Sequence, residues 1–179
     1  MKIEVNETPE ERFGDREVPY HQTGRVPIDE LLKALKPNDL KNILLIKEYV
    51  DSTRDLMKTP VIILIVGSAA NVSVAQYRDI DLLVCPEDKN ARTAFAQRVT
   101  ELLVNDRGFK TRIHSKKSSV LFERDLLYGP FKLFVEPNNE NAVGFDITFL
   151  GVDGGTIEDT IRFHEVNRLS YSIFPQDHV

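Results

Sequence analysis

Two short apolar runs, each joined to a polar signature, constrain this 179-residue chain more than any other feature. The first, Val61-Ile62-Ile63-Leu64-Ile65-Val66, leads directly into Gly67-Ser68; the second, Ile80 to Val84, is entered through Asp79 and contains Asp81. Both have strand length and are built from Val, Ile and Leu. Strand side chains alternate faces, so Asp79 and Asp81 share one face and Ile80 takes the other. Their Cα atoms lie about 6.6 Å apart, two strand steps. At that spacing two carboxylates can close on one hard cation. Magnesium suits the pair, because it takes oxygen ligands, keeps several waters and typically uses one or two carboxylates together with substrate phosphates. Gly67, with no side chain, admits a close backbone or phosphate approach, and Ser68 adds a hydroxyl donor beside it.

A later run, Gly144-Phe145-Asp146-Ile147-Thr148-Phe149-Leu150, repeats the theme. Asp146 and Thr148 share a face, and Phe145 and Ile147 take the other. Aspartate is disfavoured in strands. Three such carboxylates facing one cleft without a cation would repel one another and raise their pKa values. A bound divalent ion removes that conflict.

A strand ending in Gly67-Ser68, ten residues, Asp79-x-Asp81 on a second strand and a third carboxylate at Asp146 on a later one resembles the nucleotidyltransferase superfamily that includes DNA polymerase beta. The resemblance runs from about Val61 to Leu150 and implies a small stand-alone member. The implied fold is α/β (α+β), a nucleotidyltransferase-like mixed β-sheet covered by helices. A short helix starting at Gly67-Ser68 would offer its first amides to a phosphate. The resemblance implies that Asp79, Asp81 and Asp146 are catalytic and hold Mg2+, as two ions, and that Gly67 and Ser68 position the triphosphate. Arg78 joins the nucleotide-binding set, because a guanidinium fork suits phosphate. The implied reaction moves a nucleoside monophosphate from a nucleoside triphosphate, with ATP among the candidates, to an acceptor, with release of pyrophosphate. Small molecules, RNA and proteins all serve as acceptors across the superfamily. Two other readings use the same residues: a catalytically inactive nucleotide-binding or interaction module, since fold does not guarantee activity, and an antitoxin-like transferase that modifies a partner protein.

Composition bounds the rest. The chain is 41% hydrophobic and 28% charged, which suits one globular domain with a small appendage. A net charge of -5 gives no overall attraction to nucleic acid or an anionic membrane, although a local basic patch is compatible with it. Cys85 is the sole cysteine, so there is no intrachain disulfide framework. No apolar stretch has the length of a membrane span, and the acidic start lacks a signal-peptide pattern, so the expectation is a cytoplasmic protein without a membrane partner.

Taken in order, residues 1–26 read as a flexible N-terminal arm, polar and broken by Pro9 and Pro19. Residues 27–60 form a helical region packing on the core. Its first helix is opened by Pro27 and stopped by Pro37, and its second is capped by Asn38 or Asp39 and runs to about Lys58. The core spans 61–155. Within it Glu87 to Arg107 reads as a helix stopped by Gly108, and Lys110–Ile113, Ser119–Phe122 and Phe131–Val135 read as strands. Residues 156–179 form a C-terminal helix, Thr156 to about Val166, and a tail whose alternation at Leu169, Tyr171 and Ile173 suits an added strand. Tyr77 can face a nucleotide or the surface, His114, Lys116 and Lys117 read as a solvated basic turn, and Lys132 points into the cleft or into water. His164 and Glu165 read as surface residues.

Overall fold

In the computed structural model, which describes residues 24–71, 76–113, 131–151 and 155–175, the two apolar runs are antiparallel neighbours, β1 (Val61–Val66) and β2 (Asp79–Pro86). The described strands continue with β3 (Phe109–Ile113), β4 (Phe131–Pro137), β5 (Gly144–Phe149) and β6 (Tyr171–Ile173). They form one mixed sheet in the order β3-β4-β5-β2-β1-β6, in which only the β2–β5 contact between named strands is parallel. The fold is therefore α/β with a mixed sheet.

Each face has its own role. Ile63, Ile65, Ile80, Leu82, Val84, Leu133, Val135, Phe145, Ile147 and Phe149 project from one face into the main core. That face is covered by α1 (Ile28–Ala34), α2 (Pro37–Met57) and α3 (Arg92–Asn105), which bury Leu31, Ile43, Ile46, Val50, Phe95, Val99 and Leu103 against it. The opposite face carries the aspartates. Near β1 and β6 it holds a second apolar cluster of Leu64, Val66 and Tyr171, with Ile62, Leu83, Ile161 and Ile173 packed on it. Ile161 comes from α4 (Ile157–Val166). Alternation explains the division, because Ile62, Leu64 and Val66 of β1 and Leu83 of β2 alternate with residues of the main core.

Several local expectations are corrected. Pro37 occupies the first turn of α2, and the residue before the helix is Lys36, which makes no side-chain cap. Asp39 is therefore inside the first turn and fully buried. Its carboxylate accepts from the Tyr77 hydroxyl at 2.7 Å and from the Val143 amide at 2.8 Å. Tyr77 is thus a packing residue; burial, with Asp39 adding to it, pushes its phenol up to about 12, so it stays a donor. The helix expected from Glu87 begins as a 3-10 turn at Lys89–Ala91, with Asp88 accepting from the Asn90 amide, and becomes α-helical at Arg92. It ends at Asn105, before Gly108. His164 is buried, its Nδ1 2.8 Å from the Thr160 carbonyl, and it lies against Tyr171. The arm boundary at 26 falls within a docked segment: the Val26 amide donates to Tyr171 O and the Tyr171 amide to Gly24 O. Thr156 caps α4 in a reciprocal box with Asp159, and the tail strand forms as β6 on β1. The remainder of the arm, the strand at 119–122 and the basic turn at His114, Lys116 and Lys117 lie outside the described residues.

The buried Asp39 fixes the ends of two strands. Tyr77 precedes β2 and Val143 precedes β5, so one carboxylate ties the entrances of both to α2. Asp39→Ala leaves a half-buried amide and a half-buried phenol without their acceptor and is expected to cost about 2–3 kcal/mol, whereas Tyr77→Phe costs about 1 kcal/mol. Urea unfolding monitored by circular dichroism checks both values and their order.

Candidate active site

The aspartates come together through strand pairing. In the parallel β2–β5 ladder Asp79 stands opposite Gly144 and Asp81 opposite Asp146. Neighbouring strands are about 4.8 Å apart, so Asp81 and Asp146 are side by side on the same face. The row extends in both directions. Val66 is the β1 partner of Asp81, Phe134 the β4 partner of Asp146, and Arg112 the β3 partner of Phe134. A line of side chains, Val66, Asp81, Asp146, Phe134 and Arg112, therefore crosses the sheet on the face opposite the main core.

Gly67 closes the β1 end of this line. Its φ of 71° lies in the left-handed region, and a Cβ added there would run into Asp81 Oδ2. Both facts require glycine: the backbone turns sharply beside the carboxylate and leaves room only for it. Gly67–Ala70 forms a single 3-10 turn of four residues, shorter than the helix the resemblance implies and too short to build a macrodipole. Gly67 and Ser68 are both exposed, Gly67 directly against Asp81. Arg78 is exposed at the entrance to β2. Glycine also stands at 144, where a Cβ would meet the Phe134 ring; that ring leans over the residue paired with Asp79.

The electrostatics reflect this crowding. Burial, then the charges of Asp79 and Asp146, push the Asp81 carboxyl up to about 6, while Lys132 pulls it down. Lys132 pairs with Thr148 in β4–β5 and so lies on the aspartate face, two residues along β4 from Phe134. Asp146 Oδ1 is buried without a hydrogen-bond partner among the described residues. A buried oxygen of this kind normally has a partner, and a cation or a substrate hydroxyl would supply one. The donor set is all hard oxygen, which fits magnesium or manganese. Among the described residues the acidic side chains are not gathered into a group of three poised around an ion. Cys85 is buried near the end of β2 and burial pushes its thiol up to about 12, so it is no nucleophile.

Phe134 and Arg112 join the row only through strand pairing, and the same pairing decides the orientation of Lys132. The alternation in Phe131-Lys132-Leu133-Phe134-Val135 groups Lys132 with Phe134. Register with β5 is what puts that group on the aspartate face.

Comparison with known proteins is sparse. No family profile and no curated protein matches the chain. Among solved structures it is similar to the Thermotoga maritima CCA-adding enzyme complexed with tRNA, at 18% identity over 68% of this chain and a TM-score of 0.37. It is also similar to a CCA-adding enzyme in complex with CTP, at 17% identity over 67% of this chain and the same TM-score. The chain spans 23% and 22% of those two structures. Among the described residues no helix is long and apolar enough to cross a membrane.

The raised Asp81 carboxyl has a signed consequence for the metal-free protein. The folded state holds this proton up to about pH 6, the unfolded chain only to about 3.8. Its contribution to stability is therefore present below about pH 4 and lost as pH rises through 6. A shift of this size corresponds to roughly 3 kcal/mol, which partial solvent screening reduces to about 1–2 kcal/mol. In EDTA, Asp81→Asn should be more stable than the parent at pH 7 by that amount and gain nothing at pH 4. Thermal melts across this range check it.

Proposed function

We propose that this chain is a metal-dependent nucleotidyltransferase that moves a nucleoside monophosphate from a nucleoside triphosphate to an acceptor hydroxyl. The observation that carries the reading is the Asp81–Asp146 pair, side by side in parallel register, with Asp79 two residues away on the same face and Gly67 against Asp81.

Each residue then has a role. Gly67 and Ser68 receive the β- and γ-phosphates, since the Gly67 turn brings exposed backbone and a hydroxyl to the β1 side of the carboxylates. Arg78, exposed at the same end of the sheet, adds a forked donor for a phosphate oxygen. Asp79, Asp81 and Asp146 would hold one or two magnesium ions. Ions held there would supply positive charge to the triphosphate and to the entering and leaving oxygens. Asp146, on the side away from Gly67, orients the acceptor hydroxyl and accepts its proton. The hydroxyl oxygen forms a bond to the α-phosphorus as the bond from that phosphorus to the bridging oxygen breaks. The electron pair leaves with pyrophosphate, and the proton passes from Asp146 to solvent.

The test is calorimetry with a non-hydrolysable triphosphate, together with transfer from radiolabelled triphosphates in cell extract. Asp79→Asn and Asp81→Asn should weaken magnesium-dependent binding and lower transfer at least about 100-fold, the scale of losing one preorganised electrostatic group. Asp146→Asn should lower transfer as much and spare most of the binding. Variants at Asp79 and Asp81 that bind magnesium-nucleotide like the parent would refute the ligand roles. Magnesium-dependent binding with no pyrophosphate release would make the chain a nucleotide-binding module.

A further inference from the structure

The acceptor of the proposed transfer has no identity yet, and the half of the aspartate face beyond Asp146 bears on it. Phe134 is half-buried beside Asp146, its ring leaning over Gly144. The Arg112 guanidinium lies over that ring, its central carbon 4.9 Å from the centroid. Arg112 itself is exposed. Lys132 is exposed on the same face, two residues along β4 from Phe134. Neither cation is ion-paired with a described residue.

Direction decides which substrate this surface serves. In an in-line displacement the entering oxygen and the leaving oxygen stand on opposite sides of the phosphorus. If pyrophosphate leaves on the Gly67 side, next to β1, the acceptor enters from the β4 and β3 side. Gly67 and Arg112 are separated by the whole row, four strand spacings or about 19 Å. Arg112 lies two spacings beyond Asp146, within the reach of an acceptor whose hydroxyl sits at Asp146.

We propose that Arg112, Phe134 and Lys132 form the acceptor subsite, and that the acceptor is a nucleotide unit, with a base stacked on the Arg112–Phe134 pair and a phosphate held by Lys132 and Arg112. An aromatic ring and a guanidinium plane together offer the sequence-tolerant stacking surface that binds bases. Two cations select an anionic acceptor and repel a polycationic one. The net charge of -5 is no obstacle, because the cations are local to one face of the sheet, Arg112 at the end of the row and Lys132 near enough to the carboxylates to lower Asp81. A protein side chain as acceptor calls for neither feature. The inference rests on the nucleotidyltransferase reading.

The experiment uses the full chain and two probes, a fluorescein-labelled single-stranded RNA with a free 3′ hydroxyl and a nucleoside 5′-monophosphate. Both are titrated with and without magnesium and a non-hydrolysable triphosphate. The RNA, the monophosphate or both should bind, the better binder identifying a strand end or a free nucleotide as the natural form. Arg112→Gln should weaken that binding about tenfold and lower its salt slope by about one. Phe134→Leu, which keeps an apolar side chain over Gly144, should weaken it about tenfold through lost stacking. In transfer assays both variants should raise the acceptor KM and leave the triphosphate KM unchanged, a split that a general folding defect would not produce. If neither probe binds, or if both variants bind like the parent, the subsite is wrong. Labelling of a protein in extract, with neither probe labelled, also overturns it. Persistence of magnesium-triphosphate binding in those cases confines the failure to the acceptor; its loss takes the functional reading down as well.

Discussion

The parallel pairing of β2 with β5 is the constraint on which the rest of this molecule depends. It sets Asp81 beside Asp146, and two carboxylates one strand spacing apart in a partly desolvated site repel each other. The fold accepts that cost and builds around it. Gly67 gives up a side chain so that the Asp81 carboxylate has room. Asp39 holds the entrances of both strands with one buried carboxylate. The opposite face of the same strands is among the best packed parts of the protein, with Ile80, Leu82, Phe145 and Ile147 all buried in the main core. Stability is drawn from one face and spent on a charged arrangement on the other, which is the distribution expected of a functional site.

How much of this is legible in the sequence depends on whether a feature is local. The β1 run, the entry of β2 at Asp79 and the alternation around Asp146 can be read directly, because strand period and residue type carry them. The C-terminal helix after Thr156 and the tail strand at Tyr171 follow from local pattern as well. Asp39 is not legible in its role. A carboxylate in the first helical turn looks the same whether it caps the helix or serves two segments that lie 38 and 104 residues away. His164 reads as a surface residue for a related reason: its burial comes from the packing of α4 against Tyr171, which one helix considered alone does not reveal.

The row across the sheet shows the same limit. Lys110 to Ile113 and Phe131 to Val135 have strand signatures, so the parity of Arg112 and of Phe134 can each be written down. Which parity faces the aspartates depends on register with β5, a pairing between segments separated by turns and by loop residues. Register slips by one residue move every side chain to the other face. The side of the sheet on which an arginine and a phenylalanine meet a carboxylate is therefore tertiary information.

The central claim is that Asp79, Asp81 and Asp146 bind a divalent ion between them and a triphosphate. A crystal structure grown with manganese and a non-hydrolysable nucleoside triphosphate measures this directly, because manganese is located by its anomalous signal. The predicted result is a peak with carboxylate oxygens of Asp81 and of Asp79 or Asp146 at about 2.0–2.2 Å, the range for small hard divalent ions, and with phosphate oxygens completing the shell beside Gly67. A nucleotide bound with manganese elsewhere in the molecule, or with the three carboxylates free of metal, would contradict it.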